Sequence, residues 1–152
     1  MDTKTLVKDA KQYVVFKAAD QEYGADIHKV SIIEKPMNIA RVPTTPDYIK
    51  GVVNLRGEII PIMDLRLKFG LPEVPADDDT RIIMFKLNEI TLGIIVDAVA
   101  EVVSLKESDI ESVTSITSDR SLDYIIGIGK ADGRLITLLN IEKLIAELLN
   151  KD

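Results

Sequence analysis

Residues Tyr48–Leu65 read YIKGVVNLRGEIIPIMDL, and this stretch decides the fold of the chain. Two apolar, β-branched runs flank the short turn Arg56-Gly57-Glu58, which is the pattern of a β-hairpin. Asp64 follows as a candidate N-cap for a helical turn, LRLKF, which Gly70 is placed to end. The stretch therefore predicts a hairpin followed by a short capped helix.

The same pattern recurs in the second half of the chain, at Tyr124–Ile141, with an offset of 124 − 48 = 76 residues. The second turn carries Asp132-Gly133, a pair suited to a type I′ turn, whereas the first has Arg56 in the position of Asp132. A residue that departs from local turn chemistry is a candidate for function, and a solvated turn arginine is the alternative. We therefore single out Arg56.

A second correspondence relates Phe16 and Lys17 to Phe85 and Lys86, at an offset of 85 − 16 = 69 residues. The chain is thus a degenerate internal duplication of a small β unit. Short strands with closely spaced turn signals favour a barrel or sandwich fold. Each unit is too small to bury much core alone, so we expect two small barrels that pack together, about 12–75 and 80–150, with a domain over 12–150.

The rest of the pattern predicts the elements around the two hairpins. Further strands are expected at Tyr13–Lys17, Tyr23–Ile27, Arg81–Leu87 and Ile90–Val96, with an extended or irregular stretch at Ile27–Glu34. Leu71–Asp79 is predicted as a linker, Ser112–Ser121 as a loop, and Asn140 as the N-cap of an amphipathic C-terminal helix.

Two smaller signals lead to further expectations. Ser104 and Glu107 have the S-x-x-E spacing of a capping box, which predicts a short helix within Leu105–Val113. Pro61 cannot donate a backbone hydrogen bond, so its strand is expected to be an edge or to point that position outward. Such an edge could take part in contacts between barrels.

Composition excludes several classes of function. The 152 residues carry a net charge of −6, 5% aromatic residues and no Trp, which argues against a nucleic-acid ligand. There is no Cys, so neither a disulfide framework nor thiolate chemistry is available. The N-terminus lacks an apolar signal region, and no apolar run is long enough to span or insert into a membrane. We expect a cytoplasmic protein.

The candidate catalytic and metal-binding residues do not have the number or the spacing that known motifs require. The single histidine, His28, excludes a two-histidine metal site, and no G-x-S-x-G elbow supplies a nucleophile, so His28 is interpreted as a surface or edge residue. From Asp78, Ile83 falls where a calcium loop needs glycine, which favours a solvated linker. The Gly127, Gly129 and Gly133 spacing does not match a dinucleotide fingerprint. We expect no enzyme, catalytic residue, metal or cofactor, and instead a binding module with a groove for a helix.

The motifs resemble the CheW adaptor family of bacterial chemotaxis. The segment NLRGEIIP within Tyr48–Leu65 is the most specific, and Gln21-Glu22-Tyr23-Gly24, Gly93–Asp97 and Asn140–Leu144 follow in the family's order. The resemblance covers about residues 12–150 and implies an all-β fold of two packed five-stranded SH3-like barrels with some strand exchange. It also implies a non-enzymatic scaffold that joins the regulatory domain of the histidine kinase CheA to the cytoplasmic tip of methyl-accepting chemoreceptors, and so is recruited to membrane receptor arrays.

The resemblance also implies which residues contact the receptor. Val30, Gly51, Arg56 and Val99 match family positions associated with receptor coupling. Gly51 and Val99 have structural alternatives, a backbone bend for the first and core packing for the second. A CheW-like regulatory module cut from a CheA-like kinase or a CheV-like fusion is the other interpretation of the same fold, and an oligonucleotide-binding small barrel is a weaker one.

Overall fold

The computed structural model describes residues 10–113 and 123–149, and their regular structure is mostly β. The strands are β1 (Ala10–Ala18), β2 (Gln21–Asp26), β3 (Val30–Glu34), β4 (Ile49–Leu55), β5 (Glu58–Asp64), β6 (Arg81–Leu87), β7 (Ile90–Val96), β8 (Ala98–Lys106), β9 (Ile110–Glu111), β10 (Ile125–Ala131) and β11 (Arg134–Leu139). The helices are α1 (Leu65–Lys68) and α2 (Ile141–Leu149), with 3₁₀ turns η1 (Ile27–Lys29) and η2 (Glu107–Asp109). The predicted all-β class with short helices is confirmed.

The strands form two sheets, and the chain divides into two compact units. The first unit is drawn from Met1–Phe16, Gln21–His28 and Ala100–Asp152, and the second from Lys17–Asp20 and Lys29–Val99. The sheet orders are β8-β1-β2-β11-β10-β9 and β3-β6-β7-β5-β4. The stretch 71–79, which we predicted as the linker between subdomains, contains neither helix nor strand and lies inside the second unit.

The two hairpins of the duplication have the same register. In the first, Val53 pairs with Ile60, and in the second Gly129 pairs with Ile136, each shifted by 76 residues (53 + 76 = 129, 60 + 76 = 136). Each hairpin has one register shift at the same place, next to Gly51 in the first and Gly127 in the second. The predicted internal duplication therefore extends to the level of individual backbone pairs.

The halves of the chain exchange strands. The β5 strand of the first hairpin pairs in parallel with β7, where Ile62 lies opposite Gly93. The β11 strand of the second hairpin pairs in parallel with β2, where Leu138 lies opposite Gly24. Each hairpin therefore completes its sheet with a strand from the other half of the sequence. This is the strand exchange that the family resemblance implied.

Of the two alternatives that we gave for Pro61, an edge strand or an outward-pointing position, the edge strand is wrong. The β5 strand lies between β7 and β4, and the outer edge of β4 is itself covered where Val52 exchanges two backbone hydrogen bonds of 2.9 Å with Ala40. Because Val52 points its N–H and C=O to Ala40, its pairing with Pro61 needs no donor from the proline. Pro61 also precedes Ile62, the first residue of β5 that pairs with β7. The N–H that proline lacks is therefore not needed for any hydrogen bond within the β5–β7 ladder.

The predicted capping box is also wrong. Ser104 lies within β8, which continues to Lys106, so no helix begins there. The short 3₁₀ turn η2 starts at Glu107, and the N–H of Lys106 donates to Oδ2 of Asp109 at 2.9 Å. Asp109, two residues after Glu107, thus occupies the role that we assigned to Glu107, and the short helix predicted within Leu105–Val113 is present as η2. The predicted loop Ser112–Ser121 lies outside the described residues beyond Val113.

The predicted caps and the C-terminal helix are confirmed. Asp64 accepts hydrogen bonds from the N–H groups of Arg66 and Leu67, at 2.9 and 3.3 Å, and so caps α1. Asn140 accepts one from the N–H of Lys143 at 3.0 Å and caps α2. The apolar stripe of α2 is buried at Ile141, Leu144 and Ile145. His28 is a surface residue, with 85% of its side chain exposed.

A half-buried ion pair joins parts of the second unit that are far apart in the sequence. Nε and Nη2 of Arg66, in α1, donate to the two carboxylate oxygens of Asp97 at 3.1 and 2.7 Å. Oδ2 of Asp97 also accepts from the N–H of Ala19 at 2.9 Å, and Nη1 of Arg66 donates to the carbonyl of Pro72 at 3.2 Å. The hydrogen bonds from Arg66 lower the pKa of Asp97, with the Ala19 N–H acting in the same direction.

We predict that Asp97→Asn destabilises the protein by about 1–2 kcal/mol at pH 7, since a charge-assisted bidentate pair is lost from a partly exposed site. A carboxyl whose pKa is lowered by folding stabilises the protein above its ordinary pKa, and this stabilisation is lost as the pH falls through the folded-state pKa. The difference between variant and parent should therefore shrink below about pH 4. Urea unfolding of the parent and the variant at several pH values measures this difference in the free energy of unfolding.

Asp47→Asn is the matched control, because Asp47 is exposed in the same unit and has no hydrogen bond or ion pair in the described structure. A difference for Asp97→Asn that stayed constant down to pH 2 would contradict the assignment of the lowered pKa.

Candidate functional site: the tip of the first hairpin

The turn between β4 and β5 has a backbone that disfavours arginine. Arg56 and Gly57 have φ values of +55° and +86°, the positive values that both central residues of a type I′ turn require. The turn is closed by the pair Leu55–Glu58, and Oδ1 of Asn54 accepts a hydrogen bond from the N–H of Gly57 at 3.0 Å. A non-glycine residue in this region costs about 1 kcal/mol, so the structure confirms that Arg56 is locally unfavourable.

We call Arg56, Gly57, Glu58 and Ile59 the hairpin tip. All four are exposed, and 60% of Ile59 is accessible to solvent. Within residues 10–113 and 123–149, the side chain of Arg56 forms no hydrogen bond or ion pair. Glu58 instead turns toward the unit, where its Oε2 accepts from the hydroxyl of Thr91 at 3.1 Å. The tip thus presents a cation beside an apolar side chain.

The two valines that we predicted as receptor contacts lie elsewhere in the second unit. Val30 begins β3, is half-buried and pairs with Phe85 of β6. Three strands separate β3 from β4 in the sheet order. Val99 is half-buried near the start of β8. The structure assigns all four predicted residues to the second unit, but sheet pairing does not bring Val30 or Val99 to the hairpin tip.

Gly51 has a structural reason to be glycine. Its φ is +144°, and a Cβ atom at this position would lie 2.1 Å from the carbonyl oxygen of Ala40. This close approach lets Ala40 form its bridge to Val52 and cover the edge of the sheet. The interpretation of Gly51 as a backbone bend is therefore favoured, since this buried glycine has no side chain to offer a partner.

The exposure of Ile59 was not predicted from the sequence. Asn54 and Ile59 pair on the outer face of the hairpin, whereas Val53 and Ile60 pair on the inner face and are buried. Leu135, at the same position of the second hairpin (59 + 76 = 135), is 65% exposed. A polar residue opposite an isoleucine was the available signal, but Ile59 and Ile60 are adjacent and either could have faced inward.

The buried carboxylate of the second unit has a structural role. In the described ranges the buried carboxylate is Asp64, and its Oδ1 already caps α1. Burial raises the pKa of Asp64, and the N–H groups of Leu67 and Arg66 oppose that rise. No group of three or more metal-ligating side chains occurs in the part of the chain that the structure describes. No helix in that part is long and apolar enough to cross a bilayer.

Comparison with known proteins decides the family. The model of the CheW-like domain matches residues 12–149. The chain belongs to the CheW-like family. A chemotaxis protein CheW of Helicobacter pylori is 38% identical over 145 residues, which cover 95% of this chain and 85% of the relative. A chemotaxis protein CheW of Klebsiella aerogenes is 38% identical over 136 residues, which cover 90% of this chain and 82% of the relative.

A solved CheW-like structure has the same fold. The crystal structure of the scaffolding protein TtCheW from Thermoanaerobacter tengcongensis superposes with a TM-score of 0.77 at 38% sequence identity. The match covers 85% of this chain and 88% of that chain. The strand exchange and the two sheets described above are therefore those of a CheW-like scaffold.

We predict that Gly51→Ala lowers the free energy of unfolding by about 3 kcal/mol. The positive φ is strained for alanine, and the new Cβ also clashes with the backbone of Ala40. Gly57→Ala is the control: its φ is also positive, but no atom lies within 4 Å of the added Cβ, so about 1 kcal/mol is expected. Chemical denaturation of both variants measures the difference. Equal losses would show that the close approach to Ala40 contributes nothing.

Proposed function

We propose that this protein is a non-enzymatic adaptor that couples a CheA-type histidine kinase to methyl-accepting chemoreceptors in cytoplasmic signalling arrays. Membership of the CheW-like family over nearly the whole chain supports this role, and relatives are named chemotaxis proteins and a scaffolding protein. The partners are the regulatory domain of the kinase and the cytoplasmic tip of the receptor. The protein serves both by binding, and neither partner is chemically altered.

The observation that carries the receptor half of the proposal is the conformation of Arg56. Its positive φ is retained although glycine, asparagine or aspartate would suit the turn better. The cost of that conformation is offset when the exposed guanidinium meets an acidic group on a partner, and Ile59 beside it supplies apolar contact area. We assign the hairpin tip as the centre of the receptor contact.

Val30, Gly51 and Val99 take different parts in this proposal. The half-buried Val30 and Val99 are further apolar contacts of the receptor in this proposal, apart from the hairpin tip, because they match family positions associated with receptor coupling. Gly51 acts through the backbone, because it holds the hairpin in register against Ala40. A substitution of Gly51 is therefore expected to weaken binding only together with stability.

We predict that Arg56→Asp loses receptor binding by about tenfold or more, because reversing a charge at a contact creates repulsion as well as removing attraction. Binding to the kinase regulatory domain should be unchanged. The measurement is a pull-down with two baits from the source organism, a kinase regulatory domain and a receptor signalling tip, followed by titration of each.

The matched control is Arg41→Asp, the same charge reversal at an exposed position of the same unit. It should leave both affinities within about twofold of the parent. Equal losses for the two variants would mean that net charge, and not the hairpin tip, governs receptor binding. Failure of the parent to bind either bait would overturn the adaptor role itself.

A further inference from the structure

A cavity of about 500 Å³ opens in the first unit, and none of the residues that we assign to the adaptor function lines it. Its lining includes Lys11, Tyr13, Leu105, Glu107, Ile110 and Ile126, all of which belong to that unit. Small-molecule sites have volumes of about 300–1,000 Å³ and are lined mainly by apolar side chains with a few polar groups. The size and lining of this cavity are therefore those of a ligand site.

The cavity lies where the sheet of the first unit ends. Leu105 is on β8 and Ile110 on β9, the first and last strands of the six-stranded order. Tyr13 and Leu105 are buried members of the core cluster, and Ile110 packs against it. The cavity thus leads from solvent to the hydrophobic core between the two ends of the sheet, and the mouths of β-barrels are frequent ligand sites.

Tyr13 supplies a polar group inside the cavity. The residue is only 6% exposed, and its hydroxyl has no hydrogen-bond partner in the described structure. The hydroxyl is not one of the buried unpaired polar atoms of the described residues, so it reaches the solvent in the cavity and can exchange water for a ligand oxygen. Burial raises the pKa of Tyr13, as does the nearby carboxylate of Asp26, and the phenol is therefore protonated at neutral pH and able to donate.

The charges around the cavity have both signs. Lys11 and Glu107 are exposed at its rim, and Asp26 acts on Tyr13 from the same unit. Because the charged residues of the lining are one cation, Lys11, and one carboxylate, Glu107, each opposes a ligand of its own sign and neither an anion nor a cation finds an uncontested partner. Ser112 adds a further neutral polar group to the lining. An uncharged ligand is the class that these groups favour.

We propose that this cavity binds an uncharged, mainly apolar small molecule that carries one oxygen able to hydrogen-bond to Tyr13. The apolar part lies against Leu105, Ile110 and Ile126, and the oxygen meets the phenol at the floor. The hairpin tip contributes no residue to this lining, since the lining residues belong to the first unit and Arg56 to the second.

Titration of the isotope-labelled protein with three probes of one size, followed by two-dimensional amide NMR at pH 7, tests this proposal. The probes are 2-naphthol, which is uncharged, the anion 2-naphthoate and the cation 2-naphthylmethylammonium. We expect saturable shifts with 2-naphthol at a Kd below about 1 mM, centred on Tyr13, Leu105 and Ile110. Absence of saturable shifts, shifts centred elsewhere, or equal binding of either charged probe would overturn the proposal.

Variants separate the hydrogen bond from the cavity. Tyr13→Phe keeps the ring and should weaken 2-naphthol binding by about 3- to 10-fold. Tyr23→Phe is the matched control, a second buried tyrosine of the same unit that stacks on Phe16 instead, and it should leave the affinity unchanged. Ile110→Phe, which adds volume at the wall, should also weaken binding. Equal effects of the two tyrosine variants, or tighter binding by Ile110→Phe, would contradict the assigned site.

Discussion

The second unit depends on one bidentate interaction, the pair between Arg66 and Asp97. The guanidinium belongs to the short helix that follows the first hairpin, and the carboxylate follows β7, so the pair joins the two partners of the parallel β5–β7 ladder at one end. Asp97 also holds the turn at Ala19, and its own N–H donates to the carbonyl of Lys17 at 2.8 Å. These two bonds explain why Lys17–Asp20 belongs to the second unit although the rest of β1 belongs to the first.

The duplicated hairpins show how far local sequence rules reach. Turn position, strand register and both helix caps could be predicted from Gly, Asp and Asn at a constant spacing, because each is determined by a few adjacent residues. The Arg66–Asp97 pair does not recur, since the corresponding positions hold Glu142 (66 + 76) and His28 (97 − 69). The two copies therefore keep the same backbone while they differ in the interactions that hold each hairpin to its neighbours.

Long-range pairing could not be predicted in the same way. A linker was expected where prolines and aspartates interrupt the β pattern, yet the residues that cluster together run from Lys29 to Val99 across that stretch. The reason is that β5 pairs with β7 of the second half as well as with β4 of its own half. The edge predicted for Pro61 failed for a similar reason. Proline does lack a backbone donor, but β5 is an inner strand because it pairs with β7, which lies much later in the sequence. The exposure of Ile59 likewise follows from which face of β5 meets the core.

The candidate site depends both on local turn chemistry and on long-range strand pairing. Arg56 could be singled out from the sequence because its turn is local, whereas the rigidity of that turn depends on tertiary contacts: the approach of Ala40 to Gly51, the bond from Thr91 to Glu58, and the ladder to β7. A contact residue on a two-residue turn has little freedom of its own, so its direction is determined by the strands beneath it. β4 and β5 therefore link the core of the second unit to the proposed contact at the hairpin tip, and the direction of Arg56 depends on how these two strands are packed.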